Sequence, residues 1–370
     1  MDFLYLSEED MVAVGVKDMK RCISSIEYTF RLLHSGDYRM GGANNSSHGL
    51  RVMFPEKSDI ADMPLAAPGK WFTAMPAYLG GKYHVMGIKT YGANQDNFKK
   101  SLPRSILMMS LMDVDTGLPL AYMSANILSA MRTGAVSGIF AKHFAKKQAK
   151  KIAVIGPGTM ARYSLDGIVC ARPEIEEISV FGRGQANKDK FRMHCNSYTF
   201  KTYKDCRSIS EACEDADIIL TANTQAENFE DYPLISGSCI KRGACIIVVS
   251  AVRMERNYLS EKSGNCTFVA DDVRMYSINR GIDAKPKTEE GKKTVTVKEA
   301  IHENLSENIP VLNLPEIVGD NDFHRNDEKT YICASGGIPI EDVAWGYECY
   351  KNAIKTGTGV KLLLWDESLL

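Results

Sequence analysis

The sequence predicts an α/β fold. A parallel sheet covered by helices on both faces occupies the middle of the chain, and the regions on either side of it read differently. Three observations carry this. First, the apolar run Ile152-Ala153-Val154-Ile155 gives way to Gly156-Pro157-Gly158-Thr159-Met160-Ala161, after which Ala161, Leu165, Ile168 and Val169 recur at helical spacing. That is strand, glycine turn, helix. Second, short apolar runs at 178–181, 216–222, 245–249 and 267–270 alternate with polar stretches, and near-continuous apolar strands are those buried on both faces of a parallel sheet. Third, 370 residues at roughly 150 per domain make two domains.

The elements follow in order. Residues 8–34 read as a helical segment, followed by the glycine- and asparagine-rich Gly41-Gly42-Ala43-Asn44-Asn45. Extended segments lie around 72–75, 85–90 and 106–113. Asp115-Thr116-Gly117 has turn chemistry and predicts a hairpin. Residues 126–143, with small residues on one side, predict a helix joining the two domains. Beyond the central sheet, 284–330 is rich in Lys, Glu and Asn and reads as surface helix and loop. The tail has a strand at Tyr331-Ile332-Cys333, a glycine turn and a helix over 340–355, whose start carries Glu341-Asp342, where negative charge favours a helix N-terminus. The expected boundaries set a central segment, 131–325, apart from the flanks 1–130 and 326–370.

Composition excludes several classes. Lys and Arg number 45 against 46 Asp and Glu, a net charge of −1. Gripping nucleic acid by bulk charge requires a basic surplus or face. No apolar stretch approaches the roughly 20 residues of a membrane span. The opening MDFLYLSEEDM lacks the basic start and apolar core of a secretion signal, so a cytoplasmic location is expected. The ten cysteines include no C-x-x-C pair, and they read as reduced thiols packed as small apolar residues rather than as a metal site.

Gly156-x-Gly158-x-x-Ala161 matches the dinucleotide fingerprint of a Rossmann domain. The first glycine permits the tight turn, the second lets backbone approach a pyrophosphate, and Ala161 lets the helix pack close to the strand. The helix N-terminus, at Thr159 and Met160, then offers unpaired N–H groups and positive dipole to the phosphates. The end of the second strand carries Gly182-Arg183-Gly184. A carboxylate for a ribose hydroxyl is missing there, and a guanidinium suited to a 2′-phosphate is present. NADP(H) is therefore favoured over NAD(H), with Arg183 as its reader.

Four blocks together resemble the ornithine cyclodeaminase/mu-crystallin family from about residue 45 to the tail. They are Gly87-Ile88-Lys89 after Met75-Pro76, then 113–121 (DVDTGLPLA), then Met131-Arg132-Thr133-Gly134-Ala135 leading into the Gly156 turn, and Ser335-Gly336-Gly337 followed by Glu341-Asp342. The resemblance implies that the chain ends, 1–130 and 326–370, fold together as one α+β domain beside the Rossmann domain 131–325, that a homodimer pairs sheets of this end-built domain, and that a small amino or imino acid binds in a cleft between domains. It implies that Lys89 is the active-site lysine and that Arg132 holds an anionic group of substrate or cofactor; chemically, the Lys89 ammonium suits either binding a carboxylate or, with a lowered pKa, exchanging a proton with an imine or amine nitrogen. The resemblance matches Arg51 to an earlier carboxylate-binding arginine and adds Thr133 and Thr221 to the cofactor contacts.

Two departures stand out. Family cyclodeaminases carry an Asp base just after the strand matching 246–249, and here that position falls on or near Val252, which accepts no proton. Glu255, three residues on, is the candidate replacement. The insertion 56–70 is the second departure, expected as a lid or a surface loop. The missing Asp favours an NAD(P)-dependent oxidoreductase working at a C–N bond over a cyclodeaminase. A non-enzymatic nucleotide-dependent binding protein remains the third reading.

Overall fold

The computed structural model describes residues 1–42, 48–67, 69–224, 226, 228–260, 264, 266–278, 292–307, 309–320 and 322–368. The asparagine-rich part of the 41–45 stretch and residues 284–291, 308 and 321 of the polar 284–330 stretch lie outside the described residues. The chain divides into two compact units, Met1–Arg132 with Gly337–Leu370, and Thr133–Gly336.

The first unit is built on an eight-stranded sheet. Its centre is an antiparallel meander of Trp71–Leu79, Val85–Ala93, Ser105–Asp113 and Pro119–Ser124. The last hairpin forms where expected, with Asp113 Oδ1 accepting from the Thr116 backbone N–H at 2.9 Å. Asp2–Leu6 adds in parallel to Pro119–Ser124, and Val360–Leu363 closes that edge. At the other end Tyr38–Met40 and Leu50–Val52 both pair with Trp71–Leu79. Burial alternates along the strands as a half-covered sheet requires. Met75, Leu79, Val85, Met109 and Leu111 face inward, where the helix Pro339–Thr356 packs on the meander and on the helix Met19–Ser35. Each such buried side chain contributes roughly 1.5–3 kcal/mol.

The helical segment expected over 8–34 consists of two helices, Glu8–Ala13 and Met19–Ser35. The break sits at Gly15, at φ +87°, and Asp18 restarts the helix by accepting from the Arg21 N–H at 3.0 Å.

The second unit holds an eight-stranded sheet, all parallel. Its order is Thr202–Asp205, Glu177–Phe181, Lys151–Ile155, Ile218–Thr221, Cys245–Val248, Thr330–Ala334, Cys266–Ala270, Leu312–Asn313. Counted in chain order this is 3-2-1-4-5-8-6-7, and its first five follow the 3-2-1-4-5 of a doubly wound dinucleotide-binding sheet, whose switch point lies beside the first strand. A three-stranded sheet of Leu234–Ile235, Arg253–Glu255 and Thr294–Thr296 accompanies it.

Two expectations need correction. The strand Thr330–Ala334 was expected in the end-built domain, beginning at 326. It is instead a fully buried strand of the parallel sheet, and the division falls at Gly337. A strand apolar on both faces needs neighbours on both sides and helices above and below, which an edge position does not supply. Nor is the described part of 284–330 all surface. Val295, Val297, Ala300, Ile301, Leu314 and Val318 are buried, on the helices Val297–Ser306 and Leu314–Gly319 and the strand before them. The insertion 56–70 is irregular and mostly exposed.

Candidate active site

In the second unit the glycine turn follows the strand Lys151–Ile155. Gly156 has φ +84°, and a Cβ there would fall 2.6 Å from the Asn223 Cα. Only glycine fits both the backbone and the space. Gly158 is the N-cap of the helix Thr159–Ala171 and makes no side-chain cap, so the first-turn N–H groups at Thr159 and Met160 have no capping side chain. Ala161 is fully buried, as close helix–strand packing demands. Arg183 is exposed just past the strand Glu177–Phe181.

Thr221 is fully buried, and its hydroxyl donates to the Ser250 carbonyl at 3.3 Å. Thr133 is buried within the helix Asn126–Phe144. Sequence reading missed Asn223, which donates to the Ala251 carbonyl at 3.0 Å and accepts from the Ser250 hydroxyl at 2.7 Å. It ties together the loops leaving two neighbouring strands, against the Gly156 turn. The signal was the polar Asn223-Thr224 directly after an apolar strand.

In the first unit four charges meet away from water. Lys89, on the strand Val85–Ala93, is 2% exposed. Its ammonium donates to Asp342 Oδ2 at 2.7 Å and to the Ser129 hydroxyl at 3.2 Å. Arg132 donates through Nε to Asp342 Oδ1 at 3.0 Å and through Nη1 to Glu341 Oε2 at 2.8 Å. Both carboxylates stand in the first turn of Pro339–Thr356 and are fully buried. Gly337, at φ +75°, is what lets the chain pass this cluster, since a Cβ there would collide with the Arg132 guanidinium.

Burial pulls the Lys89 ammonium down to about 8; Asp342 opposes that shift and Arg132 adds to it. Burial alone would raise the Asp342 carboxyl, but Arg132 and Lys89 hold it below the usual range. Two cations against two anions leave the quartet neutral. Such buried clusters gain little net stability over apolar packing, so their retention points to chemistry.

The structure therefore brings Lys89 and Arg132 together around Asp342, and the sequence had singled out Glu341-Asp342 as helix-starting charges and as part of the fourth family block, with no role in the site. Arg51, on Leu50–Val52, joins the same sheet face. It pairs opposite Thr73, which pairs opposite Tyr91, two residues from Lys89, and opposed residues in an antiparallel pair share a face. Its guanidinium lies over the Trp71 ring, 4.8 Å from the centroid. Arg132 was expected to grip a ligand anion; its guanidinium is instead directed at its own chain's carboxylates. Glu255, the candidate replacement base, belongs to the three-stranded sheet of the second unit and accepts from the Gly237 N–H at 2.8 Å. Val252 is fully buried. Among the described residues no cluster of His, Cys, Asp and Glu is placed to hold a metal, and no helix is long and apolar enough to cross a membrane.

The chain is similar to several characterised proteins along most of its length. It is 27% identical over 320 residues to N-((2S)-2-amino-2-carboxyethyl)-L-glutamate dehydrogenase of Staphylococcus aureus, covering 84% of this chain and 85% of that protein. It is 26% identical over 363 residues to alanine dehydrogenase of Archaeoglobus fulgidus, covering 98% of each. Its fold matches Thermococcus litoralis Delta(1)-pyrroline-2-carboxylate reductase, solved with NADH and L-proline, at TM-score 0.77 and 24% identity, covering 97% of this chain and all of that one. The sequence model of the ornithine cyclodeaminase/mu-crystallin family matches residues 16–357. With that match over nearly the whole chain, and with the doubly wound sheet and the lysine-bearing sheet each in place, the chain belongs to the ornithine cyclodeaminase/mu-crystallin family.

Proposed function

We propose that this protein is an NAD(P)-dependent oxidoreductase acting at the carbon–nitrogen bond of a small amino or imino acid. The observation that carries the reading is Lys89. It is a buried lysine drawn down to about 8, held by a carboxylate on a sheet face that also bears Arg51. A group near neutrality exchanges protons in both directions. In reduction the Lys89 ammonium donates a proton to the substrate nitrogen, and in oxidation the amine form accepts one. Asp342 stays ionised throughout and fixes the direction of the Lys89 Nζ. Arg132 holds Glu341 and Asp342 in place, so it is a positioning residue. Arg51 binds the substrate carboxylate, a task suited to a guanidinium.

The second unit fits a nicotinamide dinucleotide. A backbone-lined turn that a Cβ would fill precedes a helix start with no side-chain cap. Gly156, Gly158 and the N–H groups at Thr159 and Met160 would hold the pyrophosphate. Arg183 would read a 2′-phosphate, which favours NADP(H). When bound, the nicotinamide supplies or accepts the hydride at the carbon of the C–N bond.

The names of the relatives, an alanine dehydrogenase and an imine reductase among them, support this reaction class. A cyclodeaminase needs a base where Val252 stands, and Glu255 holds a backbone turn instead. The same proposal includes a homodimer. The sheet face opposite Lys89 presents Phe72, Ile106 and Tyr122, each at least 40% exposed, an apolar surface that a second copy would cover. It also includes a cytoplasmic setting, in keeping with ten free thiols.

The test mixes purified protein and NADPH, then NADH, with Delta(1)-pyrroline-2-carboxylate and with pyruvate plus ammonia. Loss of reduced-nicotinamide absorbance is expected in at least one mixture, and Lys89→Met should abolish it while nucleotide fluorescence titration shows retained binding. No absorbance loss in any mixture sinks the reading.

A further inference from the structure

We infer that Thr73 and Trp71 form the specificity end of the substrate site and select an amino or imino acid whose side chain ends in a second carboxylate. This rests on the C–N oxidoreductase reading and names its substrate class.

The starting observation is a pair of unpartnered groups. Thr73 is 1% exposed, and its hydroxyl is sealed from water with no hydrogen-bond partner. The Trp71 indole N–H is in the same state. Buried polar groups in folded proteins are almost always paired, and each exception asks for an explanation. One such group could be accidental. Two on one strand, separated by one residue and pointing to one face, coincide with the face that carries Lys89.

The register makes that placement definite. Thr73 pairs opposite Tyr91, and Lys89 opposite Met75. Thr73 and Lys89 are therefore diagonal neighbours on adjacent strands, about 7–8 Å apart between backbones. A side chain of two or three carbons beyond the reacting C–N bond spans such an interval. Its terminus then arrives at Thr73, with Trp71 one step further along the strand.

The donors decide the chemistry of that terminus. An indole N–H only donates, and a threonine hydroxyl donates readily. The Arg51 guanidinium, which binds the first carboxylate, lies over the Trp71 ring, and Arg51 pairs opposite Thr73, so one cation stands beside both ends of the substrate. An alkyl terminus leaves both groups unpaired. An ammonium terminus meets a donor and a cation. A carboxylate has two acceptor oxygens and the complementary charge. Sites that hydrogen-bond a substrate group reject the analogue lacking it far more strongly than apolar pockets reject a changed methylene.

The experiment compares two matched oxo acids, 2-oxoglutarate and 2-oxopentanoate, which have equal chain length and differ in the terminal carboxylate. Each is supplied with ammonia and the reduced nucleotide that supports turnover. The wild type is expected to favour 2-oxoglutarate in kcat/KM by about a hundredfold. Thr73→Val and Trp71→Phe should each cut that ratio by about tenfold or more. Thr73→Val should melt at or above the wild-type temperature, because valine replaces an unpartnered hydroxyl with a methyl group. A melting temperature lowered by several degrees would mean that the hydroxyl holds the fold together, and would overturn the assignment.

Calorimetric titration of both oxo acids into nucleotide-loaded protein separates this inference from the reading beneath it. Turnover of both acids with equal efficiency refutes the subsite and leaves the oxidoreductase standing. Tighter, Thr73-dependent binding of 2-oxoglutarate without turnover supports the subsite and refutes the reaction.

Discussion

Replacing Asp342 with asparagine tests the proton-exchange reading at its centre. The Asp342 carboxylate lies 2.7 Å from the Lys89 ammonium, and neither is exposed to water. An opposite charge at that range typically holds an ammonium's pKa up by about 1–3 units. Burial and Arg132, which both pull it down, would remain in the variant. Lys89 should therefore fall from about 8 to roughly 5–7. At roughly pH 7.5 the protonated fraction drops from about three quarters to between about a quarter and less than a hundredth.

If the ammonium is the proton donor, reductive kcat/KM at that pH falls by about 3- to 200-fold, and the alkaline limb of the profile moves down by about 1–3 pH units. Because Lys89 can neutralise, Arg132 stays balanced by Glu341. Stability should then fall by less than the about 3–5 kcal/mol typical of a broken buried ion pair. The assay is kcat/KM against pH, alongside lysine side-chain NMR that reports the Lys89 titration directly. An alkaline limb that stays at its wild-type position in a folded variant, while NMR shows Lys89 shifted, would refute the reasoning.

Three further outcomes are expected. Gly156→Ala forces a side chain into φ +84° and against the Asn223 backbone, so nucleotide binding should weaken at least about tenfold, as read by fluorescence titration. Arg183→Ala should weaken NADPH by about tenfold or more, by loss of a charge-assisted contact to phosphate, and leave NADH little changed; equal loss for both would remove the 2′-phosphate assignment. Tyr122→Glu on the outer sheet face should convert a dimer to a monomer in sedimentation velocity, and an unchanged dimer would place the interface elsewhere.

The parallel sheet was the more legible half. Its strands are apolar on both faces, so Ile218–Thr221 and Cys245–Val248 stand out as runs without any periodicity argument. Thr330–Ala334 was equally visible as a strand, yet its sheet was misassigned, because a buried strand carries no mark of which neighbours bury it. Gly15 also divides a segment read only as helical, since left-handed backbone is a property of one residue and a helical composition averages over many.

The site was legible in its cations and hidden in its anions. Lys89 and Arg132 were singled out by the family resemblance of the sequence blocks that carry them. Glu341 and Asp342 were read as ordinary helix-start acids, which solvent normally covers. Their burial depends on the meander folding back over the first turn of the helix, a long-range event with no local signal. Thr73 was silent for the same reason: a lone threonine in a strand is unremarkable until its surroundings leave its hydroxyl without a partner.

The charge pattern also bears on which reaction the fold supports. A cyclodeaminase and a reductase of this architecture both need a nucleotide and a cationic pocket, so neither distinguishes them. What distinguishes them is a second proton acceptor that is uncommitted. Asp342 is saturated by Lys89 and Arg132 and held low. Glu255 is bound to the Gly237 backbone. Val252 offers nothing. Lys89, by contrast, has a proton affinity drawn down to about 8. A single exchangeable proton suffices to interconvert an imine and an amine across a hydride transfer, whereas deamination followed by ring closure must also move protons at a second position. The economy of the site therefore favours the shorter reaction.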